Sequence, residues 1–140
     1  MARDPNPREL VNAFYERIWN TGDLSAIPDL LTENFEFRGS LGSELVGREA
    51  FGGYVCAVRE ALAGYRCEIL ECVSERGRAF AKMRFSGVHV APFRGFEPTG
   101  KAVQWMGAAL FDSKDGLISS LWVLGDIAGL DALLTLNRQP

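Results

Sequence analysis

Histidine is nearly missing from this chain: His89 stands alone, so no zinc constellation can be assembled from histidines and cysteines. The three cysteines, Cys56, Cys67 and Cys72, form neither a C-x-x-C pair nor an even disulfide framework. Reduced, packed thiols and no metal are the expectation. A block of like charge is also lacking: 15 Lys and Arg stand against 18 Asp and Glu, for a net charge of -3. Without a basic stripe, neither nucleic-acid phosphate nor an anionic lipid surface is an expected partner. No apolar run approaches the roughly 20 residues that span a bilayer, and MARDPNPREL holds no apolar signal-peptide core. The expected location is the cytoplasm. Internal repeats and low-complexity segments are missing too, so residues 1–140 are expected to form a single domain, for which 47% hydrophobic residues can fill one core.

What is present is strongly patterned. Asn6, Pro7 and Glu9 read as an N-cap, a first-turn proline and a capping-box acid. The apolar stripe Leu10, Val11, Phe14, Tyr15, Ile18 and Trp19 follows at helical spacing until Thr21-Gly22 stops it. Asp23 can cap a second helical stretch reaching Leu31, which Pro28 should split into two turns. Phe35 and Phe37 alternate with polar neighbours as a short strand, and a third helix is expected over 47–63, with Phe51, Tyr54, Val55, Val58 and Leu62 on one side. Its Gly52-Gly53 pair, costly by roughly 1 kcal/mol per glycine, suggests a helix backbone lying close to a sheet or a ligand.

Beyond Gly64 the period changes from helix to strand. Runs at 65–75, 78–90, 101–111 and 117–124 are separated by turn signals at Glu75-Arg76-Gly77, in the loop 91–100, and at Lys114-Asp115-Gly116. Helices followed by hairpin-linked strands describe an α+β domain with a mostly antiparallel sheet. Such a sheet, curled around helices, encloses a cone lined by every second residue of each strand, so function is to be sought in strand parity.

FYERIWNTGDLSAIPDLL, VGREAF, GVHVAPFRGFEPTGKAV and DGLISSLWVLGD, in that order and spacing, resemble the SnoaL-like polyketide cyclases of the NTF2-like superfamily over nearly the whole chain. The resemblance implies a cone-shaped curved antiparallel sheet wrapped around N-terminal helices, with a short C-terminal helix. It also implies cofactor-free cyclisation or isomerisation of a hydrophobic, polyketide- or terpenoid-like molecule. In those cyclases an aspartate seven residues beyond the DG-turn glycine does acid or base work, and a histidine lies seven residues before it. Counted from Gly116, these places hold Val123 and Ala109, and the family asparagine of the first strand falls on Phe37. The arginine and aspartate of the similar limonene-epoxide hydrolases fall on Arg84 and Ser86. Because valine, alanine and phenylalanine exchange no protons, the family's usual acid–base pair is missing from this chain. Three readings stay open: a cyclase or isomerase working through other groups, a non-catalytic ligand-binding or dimerisation module of the same fold, and an oxygen-using, cofactor-independent hydroxylase-like relative.

Three polar side chains remain as catalytic candidates. Asp126 reads as the N-cap of the last helix or as an acid at the pocket mouth. His89 reads as an exposed or hydrogen-bonded loop-side residue, or as a proton-transfer group at the cavity rim. Arg84 reads as solvated with Phe80, Lys82 and Ser86, or, on the hydrolase-like match, as an inward cation that needs a carboxylate. The expected ligand wall comprises Tyr15 and Trp19 on the first helix, Tyr54 on the third, and Phe37, Trp105, Ala109, Phe111 and Val123 on strands, with Arg84 as its charged member. Trp122 has the opposite parity to Val123, so it should sit on the outer face and favour a homodimer.

Overall fold

A computed structural model describes residues 6–140. The N-terminal cap forms as the sequence implies: Asn6 Oδ1 accepts from Glu9 N–H at 2.9 Å, and Pro7 opens helix α1, Pro7–Ala13. The single long helix expected here changes character at Phe14, where it widens into a π-helix over Phe14–Asn20. Tertiary anchors hold its far end. Asn20 accepts from Cys67 N–H at 2.7 Å and donates to Cys67 C=O at 3.0 Å, and Arg59 donates to the carbonyls of Trp19 and Asn20. Asp23 caps a 3₁₀ turn, Leu24–Ala26, before helix α2, Ile27–Leu30, begins around Pro28. The proline thus splits the segment into two turns, because its ring excludes an uninterrupted helix.

Strand β1, Leu31–Arg38, is followed by β2, Glu44–Val46, which the sequence reading missed because it is short and mostly exposed. Helix α3 covers Arg48–Ala61. Its glycine pair has no close neighbour to account for it. A Cβ on Gly53 would meet nothing within 4 Å, and one on Gly52 would make ordinary contact with Ile27 at 3.5 Å, so the expected close approach of the helix backbone is not there. Strands β3, Leu62–Glu75, β4, Arg78–His89, β5, Ala102–Lys114, and β6, Leu117–Gly125, follow, and helix α4, Ile127–Asn137, completes the chain. Two of the hairpins turn at Arg76-Gly77 and Asp115-Gly116, where both central residues have positive φ, as a tight primed turn requires.

Among the described residues the sheet has six strands in the order β2-β1-β6-β5-β4-β3, so β2 and β3 are its edges there and no barrel closes. It is mixed rather than wholly antiparallel: β1 runs parallel to β6, since the chain reaches that position only after the rest of the sheet intervenes in sequence. Register sets the inner rows across neighbouring strands. Cys67, Phe85 and Trp105 are directly opposed on β3, β4 and β5, and Ala81, Ala109 and Val123 on β4, β5 and β6. Against this face pack the π-helix and α3, with Phe14 stacked on Phe51 at 5.7 Å and edge-on to Phe111 at 5.5 Å. Each such ring contributes roughly 1.5–3 kcal/mol through burial. The loop 91–100 is fixed to α4 by a bidentate ion pair from Arg94 to Asp131, at 2.7 and 3.0 Å.

Candidate active site

The inner end of the curved sheet is walled mainly by aromatic rings. Tyr15 and Trp19 reach it from the π-helix, Phe37 from β1, Tyr54 and Val58 from α3, and Tyr65, Cys67, Phe85, Leu121 and Val123 from the sheet. Ser40 and Leu41, in the turn between β1 and β2, complete the lining. The cone expected to hold a ligand is nearly filled by its own side chains. The rings meet one another, Phe37 with Phe51 at 4.8 Å, Trp19 with Tyr65 at 5.4 Å and Phe85 with Trp105 at 5.4 Å, leaving a space of about 20 Å³. Such a space holds about one water-sized group, whereas an apolar cavity that admits benzene is on the order of 150 Å³. Phe85, one of the lining rings, lies over Gly107, where a Cβ would come within 2.6 Å of it.

Five of the expected wall residues, Tyr15, Trp19, Phe37, Tyr54 and Val123, do border this space. Trp105 is buried but lies one layer out, its indole N–H donating to Ser40 Oγ at 3.2 Å and its ring 6.1 Å from Tyr65. Ala109 is fully buried opposite Val123, and Phe111 packs edge-on to Tyr15 at 5.8 Å, so both support the wall without bordering the space. Arg84 belongs elsewhere. Its neighbours Met83 and Phe85 point inward, so strand alternation turns Arg84 to the outer face, where it pairs with Glu68 at 2.9 Å in solvent.

Asp126 is the cap and not a pocket acid: its Oδ1 accepts from Gly129 N–H at 2.9 Å at the start of α4, and the residue is exposed. His89 fits neither sequence reading. It is 0% exposed, faces Phe93 with ring centroids 6.1 Å apart, and neither ring nitrogen has a hydrogen-bond partner among the described residues. Its main chain ties the strand to the loop, donating to Lys101 C=O and accepting from Gly100 N–H. It does not border the aromatic space.

Sequence reasoning missed Leu41, Val58, Leu121, Ser40, Tyr65, Cys67 and Phe85 as lining residues. The parity of β3 and β4 carried the signal for the last three, since Tyr65 and Cys67 alternate inward as Met83 and Phe85 do. Ser40 lies in a turn whose path no periodicity reveals. Among the described residues no carboxylate, imidazole, ammonium or guanidinium borders the space. The groups that can titrate there are phenols and a thiol, and burial drives all of them upward. Tyr54 is pushed up to about 12, and Tyr15, Tyr65 and Cys67 are raised by burial as well, Tyr65 with an added contribution from the neighbouring Cys67. At neutral pH they are uncharged hydrogen-bond donors and poor bases. Among the described residues no cluster of three or more His, Cys, Asp or Glu could hold a metal ion.

Comparison with solved structures gives the same architecture. TsrD from Streptomyces laurentii is similar with a TM-score of 0.79 at 23% identity, covering 91% of this chain and 92% of that one. A SnoaL-like polyketide cyclase from Agrobacterium tumefaciens gives a TM-score of 0.80 at 17% identity, over 93% and 98% of the two chains. At these identities the likeness is one of fold. Comparison with curated proteins gives no match. The profile of the SnoaL-like polyketide cyclases, however, matches residues 9–133, almost the full length of the sheet and its helices, and the chain therefore belongs to that family.

Proposed function

We propose that the protein binds a hydrophobic, polyketide- or terpenoid-like small molecule at the aromatic end of the curved sheet and promotes its cyclisation or isomerisation by orientation and hydrogen bonding, without a cofactor. The supporting observation is the lining itself: rings and aliphatic groups, with phenol, hydroxyl and thiol as the polar members and no ionised side chain. A dry site of this kind favours a neutral, largely apolar ligand, because a charged one would lose its hydration with no counter-charge in return. Holding reacting ends together can by itself supply several kcal/mol of a ring-closure barrier. The resemblance puts the family's acid at Val123 and its histidine at Ala109, so proton transfer by the protein is the step this chain has given up. Entry requires the rim to yield, and half-buried Leu41 and Tyr54 are the lining residues closest to solvent.

Native mass spectrometry on protein purified from its own cells, followed by incubation with the open-chain precursor of whatever is retained, tests this reading. The expected result is a neutral aromatic or polyketone adduct and ring closure faster than in buffer. An anionic ligand, or no adduct with any hydrophobic molecule offered, refutes it. A second reading, a non-catalytic ligand carrier, is favoured by the absence of any bordering group that titrates near neutrality. Saturable binding with no acceleration over buffer would select it.

A second copy of the chain is the proposed partner for the outer face. Val73, Phe80, Leu110 and Trp122 are directly opposed across β3, β4, β5 and β6, and Trp122 remains 48% exposed with the Arg38 guanidinium over its ring. Light scattering should report a dimer that Trp122→Glu converts to monomer; a wild-type monomer at high concentration would end the proposal.

A further inference from the structure

Tyr15 is 3% exposed and borders the aromatic space, yet its hydroxyl has no hydrogen-bond partner among the described residues. Buried phenols are normally paired, because a bond left unmade in a dry site costs more than a made one contributes. Packing alone would be served by phenylalanine, as it is at the neighbouring Phe14. The residue sits in the π-helical segment, a rare geometry that occurs often at functional sites, and that segment delivers both Tyr15 and Trp19 to the same space. Tyr65 and Cys67 face it from adjacent inward positions of β3, and Ser40 borders it with its oxygen already accepting from the Trp105 indole. Every polar side chain on this wall has a hydrogen to give, and none is a carboxylate, amide or imidazole. An accepting oxygen on the ligand would take up the Tyr15 hydrogen that has no partner among the described residues. The unfilled space of about 20 Å³ suits one such oxygen, with the body of the ligand held at the rim that yields to admit it.

Building on the ligand-binding reading above, we propose that Tyr15 is the polar anchor of the site and donates its phenol hydrogen to a ketone oxygen of the bound hydrophobic molecule, with Tyr65 and Cys67 beside it. The ligand class is thereby narrowed to neutral ketones. Burial keeps the Tyr15 phenol protonated across the physiological range, so the anchor does not switch with pH.

Fluorenone and fluorene, which match in shape and differ by one carbonyl, provide the test by calorimetric titration of the full chain. Wild type should bind fluorenone about ten-fold more tightly, the worth of one well-placed hydrogen bond. In Tyr15→Phe the two ligands should bind equally, with fluorene unchanged and a Tm at or above that of wild type. The carbonyl stretch of bound fluorenone should fall below its value in hydrocarbon solvent in wild type, a readout that does not depend on any variant folding. Equal binding of the two ligands by wild type, a preference that survives Tyr15→Phe, or an unshifted carbonyl stretch would each overturn the anchor while leaving ligand binding intact. Binding of neither compound overturns both the ligand-binding reading and the anchor.

Discussion

At the scale of single residues, Val123 is the position with the sharpest chemical consequence. It is 3% exposed, borders the aromatic space and faces Ala109 across the β5–β6 pair. Val123→Asp would place a carboxyl in a dry wall, so its pKa rises above the ordinary value of about 3.9. With the folded value above the unfolded one, the penalty is small below pH 4 and grows as pH rises toward the folded pKa. We expect a loss of about 2 kcal/mol or more at pH 8 and a smaller loss at pH 4, read from urea midpoints at the two pH values. An unchanged midpoint at both would mean that position 123 faces water. His89 invites the converse substitution. Its two unpaired nitrogens are buried beside Phe93, so His89→Leu should leave stability unchanged or raise it by about 1–2 kcal/mol in thermal unfolding. A large loss would reveal a partner for the imidazole.

At the scale of elements, the site depends on how the π-helix is held. Strand β3 is a sheet edge, and Asn20 covers part of it by pairing with both the N–H and the C=O of Cys67. Replacing Asn20 with alanine leaves these two main-chain groups unpaired and frees the end of the segment that carries Tyr15 and Trp19. The expected loss is about 2 kcal/mol in denaturant, with faster hydrogen exchange at the Cys67 amide than at amides of β5. Sequence pattern gave the boundaries of the helical stretch well, because the cap at Asn6 and the stop at Thr21-Gly22 are local signals. It could not give the π geometry, which rests on anchors 39–47 positions away in the chain, at Arg59 and Cys67.

At the scale of the whole molecule, the buried phenols and thiol give the fold an alkaline limit. Folded pKa values of Cys67, Tyr15, Tyr65 and Tyr54 are all raised by burial above their unfolded values, near 8.5 for the thiol and 10 for the phenols. Their contribution is therefore complete below about pH 8.5 and is lost progressively as pH rises from there. Tm should be flat from pH 6 to 8 and fall above about pH 9. Cys67→Ala, less stable throughout because it leaves a void, should delay the onset toward pH 10. A Tm that holds to pH 11 would mean that these side chains are solvated.

The sequence by itself determined the α+β class, the order of the longer helices and strands, the caps at Asn6 and Asp23, and the tight turns, because each follows from neighbours a few residues apart. Strand alternation likewise told inside from outside, sending Val123 inward and Trp122 out. The tertiary structure alone decided how strands from distant segments align and how far their side chains reach across the cone. That is why the sequence could name Tyr15, Trp19, Phe37 and Tyr54 as wall but overlook Ser40 and Cys67, and why it could not show that Phe85 and its neighbours leave only about 20 Å³ between them. Volume is a property of facing surfaces, fixed by the packing of rings from several elements at once, and no periodicity along one chain encodes it.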